Sequence, residues 1–260
     1  MQGVALGSSM DLNSDVGESF GQWEIGADAQ VIPLVTSVNI ACGWHAGDPT
    51  VMRTTVELAR QHGVAVGAHP GYPDLQGFGR RAMALSPDEI TDGTLYQIGA
   101  LAAFTRAAGV LLMHVKPHGA VYNLAAKDER VASAIARAVR AFDPDLVLVG
   151  LSNSALTAAG EQAGLRVAHE GFIDRRYEPN GMLRARQAEG ALLDQVSAVE
   201  QALGLAQRGG VRTADGGWLA VRADTLCIHG DSPEAAQLAQ AVRAAFDAAG
   251  IVIAPFRQAT

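Results

Sequence analysis

The sequence has little cysteine and no apolar run long enough to cross a membrane. The 260 residues contain two cysteines, Cys42 and Cys227, and both lie in apolar stretches. Two cysteines do not make a disulfide framework, so they predict reduced, buried thiols in a cytoplasmic protein. A membrane helix needs about 18 or more consecutive apolar residues, and no run approaches that length. The sequence therefore predicts a cytoplasmic protein with no membrane partner.

Basic patches and the standard nucleotide-phosphate loops are missing too. The net charge is −7 at pH 7, which argues against a nucleic-acid partner. Neither a G-x-G-x-x-G run after the first predicted strand nor a G-x-x-x-x-G-K-[ST] run occurs. Lysine is scarce, since Lys116 and Lys127 are the only two beside 18 arginines. A lysine kept inside a motif, as Lys116 is, therefore becomes a functional candidate.

What the sequence does contain is a regular alternation of strand and helix patterns. This alternation predicts an α/β fold, either a parallel barrel or a parallel sheet. With 48% hydrophobic residues, the chain is long enough for one complete core. We expect residues 1–9 to be an N-terminal extension and residues 10–260 to be a single β/α-barrel domain. The pattern also predicts a closing strand over residues 251–256.

Polar residues follow nearly every predicted strand. A barrel brings the carboxyl ends of its strands onto one face, so residues far apart in sequence would share one pocket. Some of these residues also fit a purely structural role. Asp48 is followed by Pro49 and is a good helix N-cap, while His62, His114 and His169 fit structural positions. The six clusters are Asn13, Asp15 and Glu18; His45 and Asp48; His69 and Asp74; Lys116 and His118; Glu170 and Asp174; and His229 and Asp231.

Three chemistries fit these clusters, and the residues alone do not choose between them. The first is acid/base hydrolysis by carboxylates with histidine or lysine. The second is metal-assisted hydrolysis, with Asp15, His45 and His69 as possible ligands of a divalent metal. The third is binding of phosphate or carboxylate by Lys116 and by two arginine pairs, at 80–81 and at 175–176.

The motifs together resemble the LamB/YcsF family, the A subunits of prokaryotic 5-oxoprolinases. They occur in order along residues 10–256, and as a set they are specific. The matching runs are Leu-Asn-Ser-Asp-Val-Gly-Glu at 12–18, Asn-Ile-Ala-Cys-Gly-Trp-His-Ala-Gly-Asp at 39–48, Gly-Ala-His-Pro-Gly-Tyr-Pro-Asp at 67–74, Gly-Phe-Gly-Arg-Arg at 77–81, Val-Lys-Pro-His-Gly-Ala-Val-Tyr-Asn at 115–123, Asp-Arg-Arg-Tyr at 174–177 and Cys-Ile-His-Gly-Asp at 227–231.

The resemblance implies an irregular seven-stranded (β/α) barrel, similar to the glycoside hydrolase/deacetylase superfamily. It also implies ATP-dependent opening of the lactam 5-oxo-L-proline (pyroglutamate) to L-glutamate, in a complex with partner subunits B and C. Because the phosphate loops are missing, two arrangements stay open for ATP. Either glycine loops at the strand ends hold the nucleotide, or the partner subunits activate the lactam and this chain opens it.

The resemblance and the strand-end positions together give a set of expected site residues. Asp15 or Glu18 would act on water, His45 and His69 on developing charge or the ring nitrogen, and Lys116 and His118 on the phosphorylated oxygen. The expected catalytic residues are Asp15, Glu18, His45, His69, Lys116 and His118. The expected substrate-binding residues are Asn13, Asn39, Asp48, Arg80, Arg81, Asp174, Arg175, His229 and Asp231, with Arg80 or Arg81 on the substrate carboxylate.

Two other functions are also compatible with the sequence. One is a metal-dependent deacetylase or amidohydrolase that acts alone. The other is a non-catalytic subunit that binds lactams or sugars. The number of titratable groups on one face argues against the second, because simple binding pockets are mostly apolar with few polar anchors.

Overall fold

Seven parallel strands, each built from a largely buried run, close into a barrel. The computed structural model describes residues 9–230 and 234–256. The first strand pairs with the second on one side and with the last on the other, which closes the sheet. In barrel order the strands are β1 (Asp11–Val16), β2 (Ser37–Ala41), β3 (Ala65–His69), β4 (Leu112–Val115), β5 (Val147–Leu151), β6 (Arg166–Phe172) and β9 (Thr225–His229).

Helices cover the outside of the barrel, and their ends follow local sequence signals. Asp48 caps its helix by accepting from the amides of Thr50 and Val51. Ser86 and Glu89 form a reciprocal capping box. The helices are α1 (Asp28–Val31), α2 (Pro49–His62), α3 (Pro87–Ala107), α4 (Gly119–Ala125), α5 (Glu129–Phe142), α6 (Ala155–Gln162), α7 (Gln195–Arg208) and α8 (Ala235–Ala248), with a 3-10 turn at Ile32–Leu34.

The predicted fold class is confirmed: the chain forms an irregular seven-stranded β/α barrel. Its irregularity includes a register shift between Val66 and Gly67. A two-stranded hairpin, β7 (Gly210–Arg212) and β8 (Trp218–Ala220), lies outside the barrel. The segment 173–194 between β6 and α7 contains only isolated bridges and turns.

The two ends of the chain differ from the sequence-based expectation or lie partly outside the described residues. The predicted closing strand over 251–256 is wrong, because this segment makes a single parallel bridge between Ile253 and Met10 and forms no strand. Of the predicted extension, only Ser9 lies within the described residues, so the division into an extension and one domain stays a prediction. Among residues 9–230 and 234–256, no helix combines the length and apolar character needed to cross a membrane.

The amino end of the barrel holds a buried carboxylate that is surrounded by hydroxyl groups. Asp11, fully buried at the start of β1, accepts hydrogen bonds from Thr36 Oγ1 at 2.8 Å and Ser37 Oγ at 2.7 Å. The hydroxyl of Thr225 donates to the same carboxylate. Burial raises the pKa of Asp11 to about 6, although these hydrogen bonds oppose the change. This group lies at the opposite end of its strand from Asp15.

Candidate active site

The carboxyl ends of the strands converge as predicted, and a buried lysine lies at their centre. Lys116 follows β4 and is 2% exposed. Its Nζ lies 2.8 Å from Asp15 Oδ1 and 2.8 Å from Glu170 Oε1. It also donates to Cys227 Sγ at 3.1 Å and to Asn13 Oδ1 at 3.3 Å. These acceptors use the three protons of the ammonium group, so Lys116 acts through its charge and through the carboxylates it holds.

The charge states in this network follow from burial and pairing. Burial alone would lower the pKa of Lys116, but Asp15 and Glu170 hold that pKa well above its ordinary value. Burial would likewise raise the pKa of Asp15, but the charges of His69 and Lys116 hold it well below its usual range. Burial raises the pKa of the Cys227 thiol well above normal. The centre is therefore an ammonium–carboxylate pair beside a neutral thiol.

Two asparagines that we expected to bind substrate instead support this pair from inside the barrel. Asn39 Nδ2 donates to Asp15 Oδ1 at 2.9 Å and to Asn13 Oδ1 at 2.8 Å. Asn13 Nδ2 donates to Thr225 Oγ1 at 2.7 Å and to Glu170 at 3.1 Å. Both side chains are buried beneath the strand ends. Their position fits fixing the Asp15 carboxylate rather than contacting a ligand.

A pair of histidines lies beside Asp15, and backbone carbonyls fix both rings. His69 Nδ1 lies 2.7 Å from the carbonyl oxygen of Lys116, and His118 Nε2 lies 2.8 Å from that of Phe78. Each of these nitrogens must carry the proton, because a carbonyl only accepts. The remaining nitrogens, His69 Nε2 and His118 Nδ1, face each other at 3.1 Å. Asp15 Oδ2 lies 3.4 Å from His69 Nε2.

His45 and Glu18 lie directly behind this pair. The His45 ring stacks on His118 at 3.8 Å between centroids and 1° between planes. Glu18 Oε1 lies 3.6 Å from His45 Nε2 and 3.5 Å from His118 Nδ1. Neither ring nitrogen of His45 makes a hydrogen bond, although the residue is completely buried. A Cβ on Gly71 would come within 2.6 Å of His45 Nδ1, so a glycine is needed where the loop passes this ring.

The group of side chains that could hold a metal therefore differs from the predicted set of Asp15, His45 and His69. Ligand atoms of Glu18, His45, His69 and His118 lie within 4.8 Å of one another. Asp15 falls instead in a second group with Cys227 and His229. Lys116 and Asn39 hold Oδ1 of Asp15, while its Oδ2 lies 3.4 Å from His69 Nε2. Buried histidine and glutamate side chains thus form a cluster that could bind a metal.

A cavity of about 360 Å³ opens above the histidine pair and the lysine. Three arginines, Arg80, Arg175 and Arg186, line it together with Asp15, His69, Lys116, His118, Tyr122, Asn123, Phe172, Gln187 and His229. Arg175 is 8% exposed, and its Nη2 donates to the carbonyl of Arg184 at 2.7 Å. Its Nε is buried without a hydrogen-bond partner. The cavity is therefore positively charged around its walls.

A second histidine–carboxylate pair lies on the other side of the cavity. His229 Nδ1 lies 2.7 Å from Asp174 Oδ2. The His229 ring stacks against Phe172 with centroids 5.5 Å apart. Burial would raise the pKa of Asp174, but the neighbouring His229 lowers it. The Asp174 carboxylate thus orients an imidazole that lines the cavity.

Some predicted site residues lie elsewhere. Asp48 caps α2 and also accepts from the amide of Gly21 at 2.7 Å. Arg81 pairs with Asp74, so its guanidinium is engaged away from the cavity lining. Glu18 and His45 do not line the cavity but lie behind His69 and His118. Asp231 lies outside the described residues.

Sequence reasoning missed several side chains that contribute to the site. Tyr122 donates to Glu170 Oε2 at 2.6 Å and is buried. Its position inside the 115–123 motif was a usable signal. Arg186 and Phe172 also line the cavity. Arg186 comes from the irregular segment 173–194, where no periodic pattern indicates which residues turn inward.

Comparison with known proteins gives consistent matches along nearly the whole chain. The model of the LamB/YcsF family matches residues 10–260. The A subunit of a 5-oxoprolinase from Methylococcus capsulatus is 57% identical over 250 residues, covering 96% of each chain. The corresponding protein from Pyrococcus abyssi is 50% identical, covering 95% of this chain and 98% of the relative. The crystal structure of a lactam utilization protein from Thermus thermophilus superposes with a TM-score of 0.91 at 51% identity, covering 95% of this chain and all of that one.

Proposed function

The chain belongs to the LamB/YcsF family, and from that premise we propose that it is the A subunit of an ATP-dependent 5-oxoprolinase. The reaction is hydrolytic opening of 5-oxo-L-proline to L-glutamate, with partner subunits B and C completing the enzyme. The observation that carries the proposal is the buried Lys116–Asp15–His69 array at the floor of a cavity lined by arginines. The free, buried Cys42 and Cys227 fit the reducing cytoplasm.

The cavity suits a small anionic lactam. Its volume of about 360 Å³ is at the small end for ligand sites. 5-Oxoproline has one carboxylate, and a guanidinium binds such a group with two parallel hydrogen bonds. Arg175 is the best candidate, because its Nε is buried with no hydrogen-bond partner. Arg80 and Arg186 add positive charge to the same walls.

The proton transfers fall to the histidines that face the cavity. Ring opening adds water to the carbonyl carbon, breaks the carbon–nitrogen bond and delivers a proton to the leaving nitrogen. Asp15 is placed to orient the water, and His69 to accept its proton. His229, oriented by Asp174, is placed to donate to the ring nitrogen. Lys116 stabilises negative charge nearby but has no free proton for the substrate.

ATP makes the chemistry favourable, and we propose that the partner subunits apply it. A lactam amide is a poor electrophile, and phosphorylation of its oxygen activates the carbonyl carbon. Both standard phosphate loops are missing from this sequence. A cavity of this size also leaves little room for a nucleoside triphosphate beside the lactam. The activated lactam would then reach this chain, where water adds to the carbonyl carbon and the carbon–nitrogen bond breaks. The resulting acyl phosphate is hydrolysed by a second water to L-glutamate and inorganic phosphate.

The test is 5-oxoproline-dependent ATP hydrolysis and glutamate formation, measured for this chain alone and then with B and C subunits. We expect turnover only in the complete mixture. Asp15→Asn should reduce kcat by roughly 100-fold or more, the usual size of a general acid–base contribution. The control is Asp88→Asn, the same change at an exposed carboxylate on α3. Near-normal turnover by Asp15→Asn would contradict the proposed site, and turnover by the isolated chain would contradict the division of labour.

The buried histidine–glutamate cluster favours a second candidate, an amidohydrolase that uses a divalent metal and acts without ATP. Three imidazoles and a carboxylate are typical ligands of metal hydrolases. This function predicts hydrolysis of amides or acetylated substrates by the isolated, metal-loaded chain. No such turnover on addition of metal, together with turnover in the complete ATP-containing mixture, would eliminate it.

A further inference from the structure

We propose that Glu18, His45, His69 and His118 bind one divalent transition-metal ion, of the zinc type, at the inner wall of the cavity. The four side chains come from strand ends that are distant in sequence. Glu18 follows β1, His45 lies in the turn after β2, His69 ends β3 and His118 follows β4. All four are at least 96% buried. The proposal concerns binding by this chain and does not depend on which amide it hydrolyses. In the metal-bound form His69 is a ligand and not a proton acceptor, and Asp15, 3.4 Å from His69 Nε2, keeps the role of orienting water.

The hydrogen bonds to carbonyl groups are the first argument. Histidines that bind metals commonly donate the other ring N–H to a carbonyl or carboxylate, which fixes the tautomer and aims the lone pair. His69 does so to the carbonyl of Lys116 at 2.7 Å, and His118 to that of Phe78 at 2.8 Å. Both lone pairs therefore face the same small space, with 3.1 Å between His69 Nε2 and His118 Nδ1.

The spacing of these two nitrogens fits a shared ion. Zinc–nitrogen bonds are about 2.0–2.1 Å long. Two nitrogens 3.1 Å apart, each about 2.1 Å from one ion, subtend an angle of about 95° at it, which metal coordination accommodates. Glu18 Oε1 lies 3.5 Å from His118 Nδ1 and supplies the negative charge. Nitrogen-rich sets of this kind select transition metals over magnesium or calcium.

A proton shared between His69 and His118 explains less of this arrangement than a metal ion does. A proton on His69 Nε2 would satisfy its contacts with His118 Nδ1 and with Asp15 Oδ2. It would leave the carboxylate of Glu18 against the lone pair of His118, and the two ring nitrogens of His45 buried without a hydrogen bond. A divalent cation attracts the Glu18 carboxylate and the facing lone pairs of His69 and His118, and the His45 ring reaches it after a tilt. Because the His45 nitrogens are buried without a hydrogen bond and such groups are costly when unmatched, the cation accounts for the cluster better than a proton does.

The geometry also indicates which of the histidines should contribute most to binding the ion. A ring nitrogen binds a metal in the plane of its ring, and the parallel planes of His45 and His118 are stacked 3.8 Å apart between centroids. The His45 ring must tilt to reach an ion held by His118. We therefore expect His45 to contribute least of the three histidines. Since His69 and His118 line the cavity, a coordination position would face it, where a metal activates water.

The test measures binding directly on the full-length chain. The protein is stripped with a chelator and titrated with Zn²⁺ against a chromophoric competitor, and with Co²⁺ followed by its visible absorption. We expect one equivalent of either ion and a raised Tm with Zn²⁺. His118→Ala should weaken Zn²⁺ binding at least 100-fold, His45→Ala should weaken it less, and the exposed His62→Ala on α2 should leave it unchanged.

Glu18→Gln serves as a second variant, because it preserves side-chain size and should fold even if His118→Ala does not. Loss of the carboxylate charge should weaken Zn²⁺ binding about 10-fold or more, in line with other changes around metal ligands. Three results would overturn the proposal: no stoichiometric binding by the wild type, binding unchanged in both Glu18→Gln and His118→Ala, or an equal loss in His62→Ala. The first would indicate a proton between the histidines, and the others an adventitious ion.

Discussion

Replacing Asp11 by asparagine should stabilise the protein strongly near neutral pH and much less in acid. Asp11 is fully buried at the amino end of the barrel, and its carboxylate is surrounded by the hydroxyls of Thr36, Ser37 and Thr225. These donors do not compensate for the loss of water, because the pKa of Asp11 is raised from 3.8 to about 6 by burial. At neutral pH the folded protein therefore holds a carboxylate in an unfavourable place.

The sign and size of the Asp11 contribution to the free energy of unfolding follow from proton linkage. Between pH 3.8 and about 6 the folded state binds more protons at Asp11 than the unfolded state does. The free energy of unfolding thus falls as the pH rises through this window. At about 1.36 kcal/mol per pKa unit, the full contribution is about 3 kcal/mol above pH 6. Roughly 2 kcal/mol of it should appear between pH 4.5 and pH 8, because at pH 4.5 the unfolded carboxyl is already mostly ionised and about 1 kcal/mol has been lost.

The assay is urea or thermal unfolding of wild type and Asp11→Asn at several pH values between 4.5 and 8. The variant loses one hydrogen-bond acceptor, at a cost of about 1 kcal/mol, but this loss is the same at every pH. The advantage of the variant should grow by roughly 2 kcal/mol from pH 4.5 to pH 8, or about 4–8 °C in Tm. The control is Asp88→Asn, whose carboxylate is exposed. A difference between wild type and Asp11→Asn that does not change with pH would refute the reasoning.

Further substitutions test the site itself. Lys116→Met should lower the free energy of unfolding by about 3–5 kcal/mol, because it leaves two buried carboxylates without their cation; denaturant unfolding at pH 7 would show a smaller loss if the pair is not needed. Tyr122→Phe removes the donor to Glu170 Oε2 and should cost about 1–3 kcal/mol; an unchanged Tm contradicts this. In the reconstituted enzyme, Arg175→Ala should raise KM for 5-oxoproline at least 10-fold, whereas Arg81→Ala, whose guanidinium pairs with Asp74, should not; equal effects would remove Arg175 from the substrate site.

The barrel could be predicted from the sequence because its signals are local. Alternating strand and helix patterns, the Asp48–Pro49 start of α2 and the capping box at Ser86 all depend on residues close in sequence. The prediction for segment 251–256 was wrong because Ile251-Val252-Ile253 has the composition of a strand but pairs only with Met10, just before β1. Composition indicates a strand, but only a neighbouring strand completes one.

The strand-end residues that gather at the cavity could be predicted as a set, but the directions and partners of their side chains could not. Strand-end positions predicted that Asp15, His69, Lys116 and His118 share one face, and all four line the cavity. The strand-end positions did not show that Asn39 points into the barrel or that Arg81 forms an ion pair with Asp74. These outcomes depend on side-chain directions and on partners from distant strands. The irregular segment that supplies Arg186 has no period from which its inward residues could be read.

The saturation of Lys116 decides how the charged centre can work. Its ammonium donates to two carboxylates and to a thiol or amide oxygen, so binding a substrate atom would require breaking a buried ion pair, at a cost of several kcal/mol. Its effect is therefore to keep Asp15 ionised and fixed in a region of low dielectric, where a charge acts strongly on its neighbours. Asp15, with a lowered pKa, is in turn a weak proton acceptor. Under the proposed function, the protons that ring opening requires must then move through imidazoles that line the cavity, of which His229 is oriented by the Asp174 carboxylate.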